Sequence, residues 1–289
     1  MFFLLSSIFA IISLKLKRFR FVAWVVYIIL FSAWFLWYEN IQPSNDKNWQ
    51  KDVAVLSYAT QDNNLITVHN IRNFKYITEN RYEISYYNEI FDINKLRGID
   101  FITTYWMGPN IAHTFLSFSF GDNKHLAISI EARKKVGESF SIIRGFFKES
   151  ELIYVVADER DLIGLRTNIR KNPPEQVYMY KIDAKLEDKQ KVFLNYIKKI
   201  NSLKNRPEFY NTLITNCTTS IWDNSLVNYS NMRLNWEILL SGYTANFLYN
   251  NNLLITNSLS FKELRKKAYI NPLVDYKSIE PNYSYEIRK

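Results

Sequence analysis

The chain has 289 residues, 47% of them hydrophobic and 16% aromatic, with only 7 glycines and 7 prolines; this supplies a large core and excludes a low-complexity chain. The formal charge is +9. Part of that excess (Lys15, Lys17, Arg18, Arg20) flanks an apolar run, and no basic stripe with interleaved aromatics or zinc-finger spacing accompanies it, so no nucleic-acid partner is expected.

Taken in order, Met1 to Leu14 is apolar but short, suited to a partial span, a re-entrant piece or an interfacial helix. Phe21 to Tyr38 is free of charge and close to the roughly 20 residues that cross a bilayer. Trp34, Trp37 and Tyr38 crowd its far end like an interfacial aromatic belt, and the basic cluster keeps its near end cytoplasmic. No small-residue cleavage site follows Tyr38, so a retained anchor is expected over residues 1–38 rather than a cleaved signal peptide. Residues 39–52, with Pro43, Ser44, Asn45 and Asp46, form a polar linker, and 53–289 the main domain.

Within that domain, residues 65–78 and 81–87 alternate as strands do, and Gly98–Trp106 and Ile111–Phe120 continue the pattern. The turn sequence Gly121-Asp122-Asn123-Lys124 joins Ile111–Phe120 to His125–Glu131 in a predicted β-hairpin. Leu152–Ala157 suits a buried strand. Asp158 caps a helix to about Arg170, and the run Asp158–Asp161 suits a solvated helix start. Val177–Ile182 is a further strand. Leu186–Leu203 is the clearest helix, with Val192, Phe193, Tyr196, Ile197, Ile200 and Leu203 on one face. Ser260 and Glu263 form a capping box. The sum is one α+β domain, a mostly antiparallel sheet with packed helices.

Cys217 is the only cysteine, so it has no intrachain disulfide partner. It follows a polar turn (Thr215, Asn216) and opens a segment, T-T-S-I-W, that suits a helix. Unpaired N–H groups and the positive end of the helix dipole favour a thiolate there. The competing reading is a small buried hydrophobe. A thiolate nucleophile needs a base and the base an orienting partner. Of His69, His113 and His125, His113 is the best base, delivered by the loop Gly108–Ala112 to a sheet edge. Counting outward from the hairpin turn sets His113 opposite Glu131 or Ala132. Glu131 is thus the candidate third member, its competing role a surface ion pair to Arg133 or Arg144. His125, beside the turn, is expected to be exposed. The histidines and the cysteine lack metal-ligand spacing, so neither metal nor cofactor is expected.

The strings T-V-H-N-I-R-N-F, Y-W-M-G-P-N-I-A-H-T-F-L-S-F, L-A-I-S-I-E-A-R, Y-V-V-A-D-E-R-D-L-I-G-L-R-T-N, R-P-E-F-Y-N-T-L-I-T-N-C-T-T and L-L-S-G-Y resemble the Lnb N-terminal periplasmic domain family, from about Asp52 onward. The resemblance implies a papain-like thiol fold of permuted order, histidine before cysteine. It also implies bacterial lipoprotein N-acyltransferase chemistry, with Cys217 as nucleophile and His113 as base. Membrane phospholipid would donate the acyl chain, a lipoprotein N-terminus would accept it, and the domain would face the periplasm from the inner membrane. The founding members carry a further membrane-embedded C-terminal part, whereas this chain runs to Lys289 in a polar tail, a departure that bears on the acceptor more than on the thiol chemistry. A cysteine hydrolase (peptidase, amidase or lipid-ester hydrolase) on the same fold, and a non-catalytic lipid- or partner-binding domain, are the alternatives.

Overall fold

The computed structural model describes residues 20–139, 141, 144–225, 236–274 and 282–289, with residues 7, 8 and 11; most of the apolar run Met1–Leu14 lies outside them. The chain divides into two units, Met1–Pro43 and Ser44–Lys289. In the first, helix α1 (Arg20–Glu39) carries Phe21–Glu39, the one described stretch long and apolar enough to cross a membrane. Trp24, Tyr27, Phe31, Trp34 and Tyr38 make successive ring contacts along it, at the three- and four-residue spacings that place side chains on one helix face.

The second unit is built on β-branched and aromatic segments that favour extended backbone: β1 (Tyr58–Asp62), β2 (Leu65–Arg72), β3 (Lys75–Thr78), β4 (Arg81–Glu83), β5 (Tyr86–Asp92), β6 (Leu96–Tyr105), β7 (His113–Phe120), β8 (His125–Arg133), β9 (Glu151–Ala157) and β10 (Gln176–Lys181). The large sheet runs β1-β2-β9-β8-β7-β6-β10, with β5 also on β2, while β3 and β4 form a separate hairpin. Every pairing is antiparallel except the join of β2 to β9. The helices after β9 are α2 (Glu159–Gly164), α3 (Leu186–Asn205), α4 (Cys217–Ser225), α5 (Trp236–Leu239), α6 (Thr244–Asn250), α7 (Phe261–Ala268) and α8 (Tyr283–Glu286). The fold is therefore α+β, with a mostly antiparallel sheet.

Period-two alternation gives the sheet two apolar faces. On β7, Leu116 and Phe118 join the cluster that holds Phe193, Tyr196 and Ile197 of α3. Phe115 joins the opposite cluster with Leu162 and Ile163 of α2 and Tyr283 and Ile287 near the C-terminus. Residues Ser44–Gln50, expected as the end of a polar linker, lie against the strands: Trp49 pairs with Lys135, and the Arg133 guanidinium sits 4.2 Å from its ring centroid. The Ser260 capping box forms at the start of α7.

Two expectations need correction. The strand expected over 65–78 breaks between β2 and β3 because the Phe74 N–H donates to the Asp161 carboxylate at 2.7 Å instead of a neighbouring strand. The run Asp158–Asp161 is not a solvated helix start. Asp158 does cap α2, but Glu159 and Asp161 are fully buried. Arg72 donates to Asp161 through Nε and Nη2 at 3.1 and 2.7 Å. Arg288 holds Glu159 at 2.6 and 2.7 Å and reaches Asp100 at 2.7 Å. A buried charge survives only when paired in this way.

Removing one partner of such a pair strands the other. Asp161→Ala, which leaves the Arg72 guanidinium buried without its carboxylate, should cost about 3–5 kcal/mol, read as a fall in the denaturant midpoint of the detergent-solubilised protein. An exposed control, Lys95→Ala at the Asp122 pair, should leave the midpoint nearly unchanged.

Candidate active site

Cys217 is the first residue of α4, and its position is set by Asn216. The Asn216 side-chain oxygen accepts from the Thr218 and Thr219 N–H groups at 2.9 and 2.8 Å. In return the Thr219 hydroxyl accepts from the Asn216 N–H at 3.0 Å. This is N-capping by a short polar side chain, and it corrects one expectation: two of the helix-start N–H groups are occupied by the cap, which leaves the Cys217 N–H as the donor there that Asn216 does not engage.

His113 opens β7. It was expected at a sheet edge, but β7 lies between β6 and β8 in the interior of the sheet. The loop that delivers it is fixed by the segment Ser241–Tyr243. The Gly242 N–H donates to Asn110 at 3.1 Å, the Tyr105 hydroxyl donates to the Gly242 carbonyl at 2.7 Å, and the Ala112 N–H donates to the Ser241 hydroxyl at 3.0 Å. A Cβ at residue 242 would fall 2.0 Å from the Pro109 carbonyl, so only glycine permits this approach. The segments Y-W-M-G-P-N-I-A-H and L-L-S-G-Y, far apart in sequence, thus form one support.

The β7–β8 ladder pairs Phe115 with Ser129, and the same register two residues further along brings His113 level with Glu131. His113 Nε2 lies 2.7 Å from the Ser129 hydroxyl, which donates to Glu131 Oε1 at 2.7 Å. The direct separation of His113 Nε2 and Glu131 Oε1 is 3.6 Å, an ion-pair distance beyond hydrogen bonding. The hydrogen-bonded path therefore runs through Ser129. Glu131 pairs with neither Arg133 nor Arg144. Arg166 holds it, with Nη2 at 3.1 Å and Nη1 at 3.4 Å from Glu175, while Arg170 closes on Glu175 at 2.7 Å.

The charges respond accordingly. Burial pushes the Cys217 thiol up, but the hydrogen bond and charge of His113, with the N–H and hydroxyl of Thr114, outweigh it and bring the thiol down to about 6. For His113, burial and the Arg166 charge favour the neutral ring, yet Cys217 and Glu131 raise it above the ordinary histidine value. Burial opposes ionisation of Glu131 too, but His113, Arg166 and the Ser129 hydroxyl hold it well below the ordinary carboxylate range. Together these favour a thiolate–imidazolium pair in which neither pKa belongs to one residue alone. Such a pair joins a nucleophile to a proton carrier.

The loops leading into the pair expose Met107, Ile111, Leu213 and Ile214. The other two histidines stand apart: His69 stacks on Tyr58, and His125, expected to be exposed, is only 13% exposed at its side chain. Among the described residues no cluster of His, Cys, Asp or Glu is arranged for a metal ion. Ser129 and Arg166 are the members that sequence reasoning missed. Ser129 was within reach, since it shares a strand face with Glu131. Arg166 comes from a separate element and has no local signal.

The site is thus a polarised cysteine–histidine pair on an α+β scaffold. The family model described as the Lnb N-terminal periplasmic domain matches residues 82–245, more than half of the chain and the span that contains Cys217, His113, Ser129, Glu131 and Arg166. The chain belongs to that family. Comparison with curated proteins and with solved structures returns no match.

Because the thiolate is the reactive form, the Cys217 alkylation rate should rise with pH through a midpoint near 6. His113→Ala removes the main lowering influence and should move that midpoint upward toward the ordinary thiol value of about 8.5; Ser129→Ala, which disconnects the ring from Glu131, should move it in the same direction by less. Iodoacetamide pH–rate profiles of the three proteins measure this, and an unchanged midpoint in His113→Ala would contradict the pairing.

Proposed function

We propose that this chain is a membrane-anchored cysteine acyltransferase of the periplasm, held in the bacterial inner membrane by Phe21–Glu39, with a papain-like arrangement in which the histidine precedes the cysteine. The single observation that carries the reading is the placement of Cys217 at a capped helix start, where its neighbour Thr218 meets Thr114, the residue after a largely enclosed histidine that Ser129 links to the Glu131 carboxylate, in a periplasmic-domain family. Exposed Met107, Ile111, Leu213 and Ile214 around the entry suit a lipid surface better than water.

In the proposed reaction His113 holds the proton of Cys217. The thiolate attacks the ester carbonyl of a phospholipid, and the Cys217 N–H at the helix start donates to the developing oxyanion. The ester C–O bond breaks, His113 gives its proton to the departing alkoxide, and a lysophospholipid leaves behind a thioester on Cys217. An amine then attacks the thioester, His113 takes its proton, the C–S bond breaks, and an amide is released with the thiolate–imidazolium pair restored. The N-terminal amine of a lipoprotein is the proposed acceptor. Splitting one transfer into two steps is what a covalent nucleophile offers. Arg166, Glu131 and Ser129 act by keeping the ring oriented and charged.

Mass spectrometry of the full chain after incubation with phospholipid tests the reading. The expected result is a fatty-acyl mass on Cys217, released by hydroxylamine, absent in Cys217→Ala and reduced at least about 100-fold in His113→Ala. Turnover of the thioester by water but not by an N-terminal lipopeptide amine would make the protein a hydrolase. A fast-alkylating thiol that never acylates would exclude lipid-ester chemistry.

A further inference from the structure

The helix that positions Cys217 has a second face. Thr218, Ile221, Trp222 and Ser225 recur at helical spacing and line a cavity of about 90 Å³, walled on the opposite side by Phe101 and Leu116 of the sheet and by residues of α3 and α6. The residue after the nucleophile lines the cavity. That residue, Thr218, has its hydroxyl 3.0 Å from the hydroxyl of the residue after His113, Thr114. Leu116 is two residues further along the same strand and on the same face.

The polar atoms on this wall are already engaged. The Thr218 hydroxyl meets Thr114, the Ser225 hydroxyl donates to the Ile221 carbonyl at 2.8 Å, and the Thr244 hydroxyl donates to the Glu237 carbonyl at 3.2 Å. Asp188 and Lys189, both in the first turn of α3, are the charged side chains among its described lining. A peptide or a headgroup placed inside would leave its own polar groups unpaired, at a cost of roughly 1–3 kcal/mol each. A hydrocarbon chain requires no such partner. The volume is somewhat below that of the roughly 150 Å³ apolar cavity that admits benzene, so it suits a handful of carbons rather than a whole long chain.

We infer that this cavity receives the acyl chain of the substrate, specifically the few carbons next to the carbonyl that Cys217 attacks. The inference rests on the proposed acyl-transfer reading and adds where the acyl chain lies and how much of it is read: the first few methylenes are discriminated, and length beyond them is tolerated.

The test uses the full chain in detergent with p-nitrophenyl esters of two, four, six and ten carbons, following thioacylation of Cys217 by mass. The rate constant should rise by up to about fourfold for each buried methylene and level off by ten carbons. Ile221→Trp and Val192→Phe, which fill the cavity from two sides, should each flatten the ratio of six-carbon to two-carbon rates, with iodoacetamide reactivity showing that the site is still assembled. A flat wild-type profile, or a profile equally steep in both filled variants, would overturn the cavity assignment while leaving the thiol chemistry standing. If no ester acylates Cys217, the chemistry falls instead, and the cavity is judged by cis-parinaric acid fluorescence in Cys217→Ala. Binding lost on adding Ile221→Trp would support an acyl site, and absence of binding would overturn it.

Discussion

A buried guanidinium stands behind the reactive pair. Arg166 lies between Glu131 and Glu175 and over the Phe115 ring at 5.5 Å. Without that positive charge, a carboxylate as enclosed as Glu131 would tend to take up a proton, and a neutral acid beside Ser129 would neither hold the hydroxyl as firmly nor favour an imidazolium. Arg166 also works against the site, since its charge disfavours protonation of His113. The arrangement succeeds because the guanidinium is shared: Glu175 takes part of its charge, and Arg170 in turn balances Glu175. Arg166 is delivered by a wide turn, Leu165–Ile169, that follows α2 with π-type hydrogen bonding. Local departures of that kind recur at functional sites because they re-aim one side chain without ending the helix.

Backbone packing supplies the second constraint. His113 is useful only if its loop ends at the mouth of α4, and that loop is held by the carbonyls and amides around Gly242. On the other side, Asn216 fixes the first turn of α4 and donates to the Thr212 carbonyl at 2.6 Å, tying the cysteine to its approach loop. Nucleophile and base are therefore set by hydrogen bonds that do not involve either reactive side chain. Cys217 and His113 are supported by contacts outside the reacting atoms, whereas a side chain at Gly242 would displace the loop that delivers His113 and the chemistry with it.

These facts explain what could be read before the fold was known. Cys217 and His113 were legible because their signals are local: a lone cysteine after an N-cap residue, and a histidine at the end of a glycine- and proline-containing loop. Glu131 was legible because a hairpin turn sets the register of both its strands. The alternation that found β7 could not tell an interior strand from an edge strand, since that depends on β6 arriving from elsewhere. Nor could it show that Glu159 and Asp161 are buried, because what makes burial tolerable is Arg288 and Arg72, distant in sequence. Charge runs look solvated until their partners are known. The same gap hid Arg166. It also hid the break between β2 and β3, which is caused by a side chain capturing a backbone N–H rather than by any turn signal.

The contrast between two histidines of the same hairpin isolates what makes one of them a candidate base. His113 and His125 occupy the first positions of β7 and β8. Each is largely enclosed, each approaches a carboxylate that an arginine holds (Glu131 with Arg166, Glu159 with Arg288), and each contacts a serine hydroxyl. Burial and the nearby arginine act on both rings in the same direction, against the charged form. For His125 they prevail over Glu159 and its pKa falls. For His113 they do not, and the additional influences are Cys217, through its hydrogen bond and its negative charge, and the closer approach of Glu131. At His125 a carboxylate held by its own arginine does not make the ring basic; at His113 the thiolate adds to the carboxylate. The dependence is mutual, since the same ring is what draws the thiol down. Cys217 and His113 are thus one titrating unit, and the carboxylate behind them, kept ionised by Arg166 and Ser129, supports both its geometry and its charge.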